Sequence, residues 1–148
     1  MFSGDMRLKP LLVLLVLVSA ACARQPHGVS GGGPGAALVR VIDLANRGEA
    51  EGVARLVTYT LVADLDESLR AGGTDDWSRT AKRAFWEKLT RNGTVAKVLL
   101  RDERISGDYA LVRCDIVYLD GSREDLRAEM KSIGGRWILI VYPAMLRR

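Results

Sequence analysis

The side chains able to do chemistry are few and scattered. The chain has one histidine, His27, and two cysteines, Cys22 and Cys114, in 148 residues. Enolate or general acid–base chemistry needs an Asp, Glu or His held in a pocket, usually beside a Tyr or a second acid that carries the developing charge. His27 lies in the stretch ARQPHGVSGGGPG (residues 23–35) with no Cys, Asp or Glu neighbour, and reads as a solvated linker residue. A single histidine argues against a multi-histidine metal centre, so no metal and no other cofactor is expected. Two cysteines also exclude a disulfide-dense scaffold. Cys114 as a nucleophile has no histidine placed to activate it, and a disulfide would need Cys22 as partner; the plainer reading is a small apolar residue buried on a strand. Asp115 neighbours Cys114 but alternates onto the opposite strand face. Asp64 and Asp66 have no assigned position and keep an isomerase or dehydratase reading open.

The elements that would position these groups follow from periodicity. Leu38, Val41, Ile42 and Ala45 recur at helical spacing, with Gly48 as a stop. Glu49–Val57 reads as a shorter second helix weakened by Gly52. Thr58–Val62 favours strand, and Asp64–Arg70 could form a helical turn. A third helix is expected to start at Thr74 or Asp75 as cap. Its apolar face would be Trp77, Ala81, Ala84, Phe85 and Leu89, and Asn92-Gly93 would end it. Trp86 fits that face poorly. Four strands then follow, Thr94–Ile105, Tyr109–Leu119, Arg123–Ile133 and Trp137–Tyr142, separated by Ser106-Gly107-Asp108, Asp120-Gly121 and Gly134-Gly135. Helices first and a four-strand antiparallel meander last make an α+β arrangement. In the central hairpin the even positions must share one face. Pairing Cys114 with Ala128 sets Arg113 opposite Glu129 and Asp115 opposite Arg127, a charge match of about 0.2–1 kcal/mol per pair. The register two residues shorter faces Arg113 with Arg127 and Asp115 with Asp125, and the turn chemistry at Asp120-Gly121 favours it. The charges favour the first register.

With 22 Lys and Arg against 18 Asp and Glu, the formal net charge is +4, and the two signs are interleaved, which argues against a nucleic-acid face. The N-terminus is different in kind. Arg7 and Lys9 precede the apolar block Leu11–Val18, and small residues Ser19, Ala20 and Ala21 follow it, the layout of a secretory signal. The block is too short for a spanning helix, which needs about 20 apolar residues. Ser19-Ala20-Ala21-Cys22 resembles the lipobox of bacterial lipoproteins, with Ser19 where that motif usually has Leu. The resemblance implies cleavage before Cys22, diacylglyceryl transfer to its thiol and acylation of the new amino end. Three chains exceed the two that stable anchoring requires. Ala23, where an Asp would signal inner-membrane retention, implies an outer-membrane location facing the periplasm. The expected organisation is a signal peptide at 1–21, a flexible tether at 22–35 and one domain at 36–148.

The domain resembles the nuclear-transport-factor-like (cystatin-like) domains of small bacterial lipoproteins, in particular a lumazine-binding or unknown-function group. The matching residues are Leu38–Arg47 with the break Arg47-Gly48-Glu49-Ala50, the hairpin Ile105-Ser106-Gly107-Asp108-Tyr109-Ala110-Leu111-Val112, and Gly135-Arg136-Trp137-Ile138-Leu139-Ile140. The resemblance implies helices on the concave side of a curved sheet around a conical pocket. It leaves function open among isomerases, dehydratases, ligand carriers and subunits without chemistry. On that arrangement the concave face carries Val112, Cys114, Ile116, Tyr118, Leu126, Ala128 and Met130, faced by Trp77, Ala81 and Phe85. An open cavity there suits a flat or greasy ligand; the same side chains could equally fill the space as core. The expected partners are the bilayer through acylated Cys22, a small apolar ligand or an envelope protein, and a second copy through the outer sheet face carrying Leu111, Val117 and Leu119.

Overall fold

The computed structural model describes residues 32–61 and 75–146; Cys22, His27, Asp64, Asp66 and the expected turn at 64–70 lie outside them. Helix α1 (Pro34–Asn46) starts two residues inside the expected tether. Pro34 accounts for this, because its fixed φ and missing N–H suit the first helical turn. Leu38, Val41 and Ile42 face inward with no exposure. Helix α2 is shorter than its pattern (Ala50–Ala54), and β1 (Val57–Tyr59) takes over where that helix was expected to end. Gly52 is a close-approach residue: a Cβ there would stand 3.1 Å from a Leu44 methyl.

Helix α3 runs from Arg79 to Thr90. Its cap is Ser78, whose hydroxyl accepts from the Ala81 N–H at 3.1 Å, and not Asp75; Thr74 lies outside the described residues. The reason is tertiary. Asp75 bridges to Tyr59, the Asp76 N–H donates to the Tyr59 carbonyl, and the Asp76 carboxylate accepts from the Leu61 N–H, so these residues extend β1 instead of opening a helix. The buried face is Phe85, Trp86, Leu89 and Thr90, a quarter turn from the expected one, and Ala84 is exposed. Arg91 and Asn92 adopt left-handed φ and Gly93 follows at +86°, which ends the helix where the sequence indicates.

Strands β2 (Val95–Ser106), β3 (Tyr109–Tyr118), β4 (Arg123–Ile133) and β5 (Arg136–Val141) form the antiparallel meander, and a turn at Pro143–Leu146 follows. The fold is α+β, as expected, with helices before a curved sheet. The sheet has five strands in the order β1-β5-β4-β3-β2, because β1 adds in parallel to β5. Three residues of β1 carry too little pattern to announce a long-range parallel pairing. Irregularities at Val95/Lys97 and Leu100/Asp102 interrupt β2, and bulges of this kind bend a strand.

The central hairpin adopts the shorter register: Cys114 faces Leu126, Arg113 faces Arg127 and Asp115 faces Asp125. The turn decides this. The Asp120 carboxylate accepts from the Ser122 N–H at 2.9 Å and from its hydroxyl, the Gly121 N–H donates to the Tyr118 carbonyl, and Gly121 sits at φ +82°. The charge clash is relieved elsewhere. Arg113 reaches diagonally to Asp125 at 3.2 Å, and Asp115 is taken by Arg101 of β2.

Helix α1 is fixed to the sheet at its C-terminal end by Asn46, whose amide donates to the Val95 carbonyl at 3.2 Å and accepts from the Val95 N–H at 3.0 Å. Asn46→Ala should cost about 1–3 kcal/mol in urea unfolding, since both backbone groups at the head of β2 lose their partner. Asn46→Asp keeps only the acceptor and should fall between the two.

Candidate functional site

The inner, helix-covered face of the sheet is built by alternation. Even positions of β3 and β4 bring Val112, Cys114, Ile116, Tyr118, Leu126, Ala128 and Met130 to one side, all with 0–4 % exposure. Phe85 of α3 joins them in the same buried cluster, and half-buried Trp77 packs against it. The sequence-derived set is therefore brought together. Trp77 differs in how it arrives: it precedes α3, and its indole N–H donates to the Thr60 carbonyl at 2.9 Å. Ala81 is only half-buried.

Polar groups on this face are already engaged. The Tyr118 hydroxyl lies 2.8 Å from both the Leu89 carbonyl and a Glu124 oxygen, and the Arg91 guanidinium stands 3.7 Å over its ring. Burial first, then the hydrogen bond and charge of Glu124, push the phenol well above its ordinary range, so it remains a neutral donor. Sequence reasoning missed Glu124, although it shares the even positions of β4 with Leu126 and Met130. Burial, reinforced by Asp115 and Asp125, pushes the Cys114 thiol up to about 12. A thiol held protonated is a poor nucleophile.

A second cluster caps the α3 side. Tyr59 and Trp77, then Trp77 and Phe85, have ring centroids 5.8 Å apart, and Phe85 meets Trp86 edge-on at 4.8 Å. The Trp86 indole N–H donates to the Tyr59 hydroxyl at 2.8 Å, which satisfies both polar atoms inside the core. The Lys82 ammonium lies 4.7 Å from the Tyr59 ring centroid and 2.6 Å from the Asp75 carboxylate. Trp86 was the residue the apolar pattern could not place; its partner Tyr59 sits 27 positions earlier, beyond any local signal.

Asp115 points to the outer face. Hydrogen bonds from Arg101, with the charges of Arg101, Arg123 and Arg113, hold its carboxyl below the usual range. Among the described residues no three His, Cys, Asp or Glu side chains gather to hold a metal ion, and no helix is long and apolar enough to cross a membrane. A surface depression of about 320 Å³ opens by the β2–β3 turn, bordered by Arg104, Ile105, Tyr109, Leu111 and Glu129.

No family model and no curated protein matches the sequence. Solved structures resemble it in arrangement. A candidate NTF2-like transpeptidase from Campylobacter jejuni is 14 % identical, with 74 % of this chain and 99 % of that one covered and a TM-score of 0.48. A de novo designed protein of NTF2 fold is 16 % identical, covering 76 % and 87 %, with a TM-score of 0.44. A DUF4783 family protein from Bacteroides ovatus is 10 % identical, covering 70 % and 89 %, also at 0.44.

Two measurements probe the inner face. Unfolding releases the Cys114 thiol to its ordinary 9.0, so above that pH the unfolded chain loses a proton that the folded chain keeps. Stability should be unaffected by this group below pH 9 and fall by about 1.4 kcal/mol per unit as pH rises from there toward the folded value. Between pH 9 and 10 wild type should lose about 1 kcal/mol more than Cys114→Ala, whose own smaller slope comes from Tyr59 and Tyr118, phenols that folding also pushes up. Ala128→Trp reads the space itself: a filled core should lose about 1–3 kcal/mol through overpacking, and an open cavity should accept the ring at little cost.

Proposed function

We propose that the protein is a lipid-anchored lipoprotein of the bacterial envelope, held through Cys22. Its NTF2-like domain is a non-catalytic binding module that engages an envelope protein on its outer surface. The observation that carries this reading is the inner face, where apolar side chains are closed off and the polar ones are committed to each other. Among the described residues the large apolar side chains most open to solvent are Leu119 and Leu61, at 73 % and 65 %. The lipobox-like Ser19-Ala20-Ala21-Cys22 and the preceding apolar block support the anchor. The rival reading, enolate-type isomerisation or dehydration, draws on the Tyr118–Glu124 hydroxyl–carboxylate pair, whose members hydrogen-bond each other at 2.8 Å beneath Arg91.

Native mass spectrometry of the full chain, extracted in detergent from a bacterial host, tests both parts of the proposal. The expected mass lacks residues 1–21, carries three acyl chains and retains a protein. Cys22→Ala should keep the leader and carry no acyl chain. A retained apolar small molecule without protein would turn the reading toward a ligand carrier, and a bare chain that isomerises an enolisable ketone would overturn it.

A further inference from the structure

Two hairpin turns lie side by side at one end of the sheet. The β2–β3 turn carries Ile105 and the β4–β5 turn carries Ile133, and the Ser132 N–H donates to the Asp108 carbonyl at 2.7 Å, tying one turn to the other. Ile105 is 56 % exposed, Ile133 48 % and Leu111 of the adjoining rung 37 %. These side chains gain nothing from water, and Ile105 and Leu111 border the depression lined also by Arg104, Tyr109 and Glu129. Exposed Arg136 faces Ile133 across the β4–β5 turn, and exposed Arg104, next to Ile105, is ion-paired with Asp102 at 2.8 Å.

The course of α1 relates this end of the sheet to the proposed anchor at Cys22. Its C-terminal Asn46 is bonded to Val95, at the far end of β2. Its N-terminal Gly33 and Gly35 lie against Glu103, and Gly35 against Leu100 as well, in the half of β2 that leads to Ile105. Gly32, the first described residue, therefore lies at the end of α1 that is nearer the paired turns. Nine residues lie between Cys22 and Gly32. Even fully extended they span at most about 35 Å, so an anchor at Cys22 keeps the bilayer within reach of that end.

We infer that the paired turns are a bilayer-facing surface, with Ile105, Ile133 and Leu111 entering the headgroup region and Arg136 meeting lipid phosphates. Apolar side chains at the tip with a guanidinium group beside them suit the mixed polarity of an interface. This inference rests on the proposed anchor at Cys22.

The test uses the acylated full chain on vesicles of phosphatidylcholine and phosphatidylglycerol (3:1), with and without brominated acyl chains. A small fluorophore is attached through Ile105→Cys, Ile133→Cys or, as the control, Leu119→Cys. Leu119 is also exposed but lies at the other end of β3, roughly 33 Å along the strand. Cys114 has no exposure and stays unlabelled in the native protein. Brominated chains should quench the labels at 105 and 133 at least twofold more than the label at 119. Flotation of the chain with vesicles but equal quenching at all three positions, or none at 105 and 133, overturns the inference and leaves the anchor standing. Failure to float with the vesicles overturns the anchor and the inference together.

Discussion

The structure depends on covering one sheet face. Val112, Cys114, Ile116, Ala128 and Met130 have no contact with water because α1 and α3 lie over them. Burying apolar side chains of this size is worth roughly 1.5–3 kcal/mol each for the larger ones, so any pairing that turned them outward would forfeit most of the stability of the domain. This requirement fixes which residues of β3 and β4 share a face. It also sends Asp115, Arg113, Arg127 and Asp125 to the other side, where ion pairs form across neighbouring strands and water screens the rest.

Within that requirement two registers remain, and the weaker-looking influence wins. Opposed charges across an exposed strand pair contribute a few tenths of a kcal/mol, and long side chains can find partners on the diagonal or on the next strand. Arg113 and Asp115 do so. A tight turn has no such freedom. Asp120, Gly121 and Ser122 close it with four hydrogen bonds and one positive φ, and a shift of register would break the set. Local backbone geometry is rigid where surface electrostatics is adaptable.

The helical side is organised by satisfying buried indoles. Trp86 enters the core because the Tyr59 hydroxyl accepts its N–H, and Trp77 is held where the Thr60 carbonyl can accept its own. Both partners come from the segment around β1, which is itself held in place by β5. The short parallel strand thus couples the first third of the chain to the last strand and sets where α3 can begin. A domain arranged this way has its helical side fixed from both ends of the chain.

The sequence by itself determined the elements whose pattern is repeated within a short window. The alternation of Val112, Cys114, Ile116 and Tyr118 against Leu126, Ala128 and Met130 sufficed for the strands, their turns and the inner face, and Leu38, Val41 and Ile42 sufficed for α1. Most of the candidate site was legible for the same reason, since it is the inner face itself. Tertiary structure decided whatever needed a partner far along the chain: the parallel pairing of Val57–Tyr59 with Leu139–Val141, the start of α3 at Arg79, the burial of Trp86 and the Tyr118–Glu124 pair. Periodicity records which face of an element is apolar. It does not record which distant hydroxyl or carbonyl will take a buried N–H, and that choice fixes where an element starts and how it is turned.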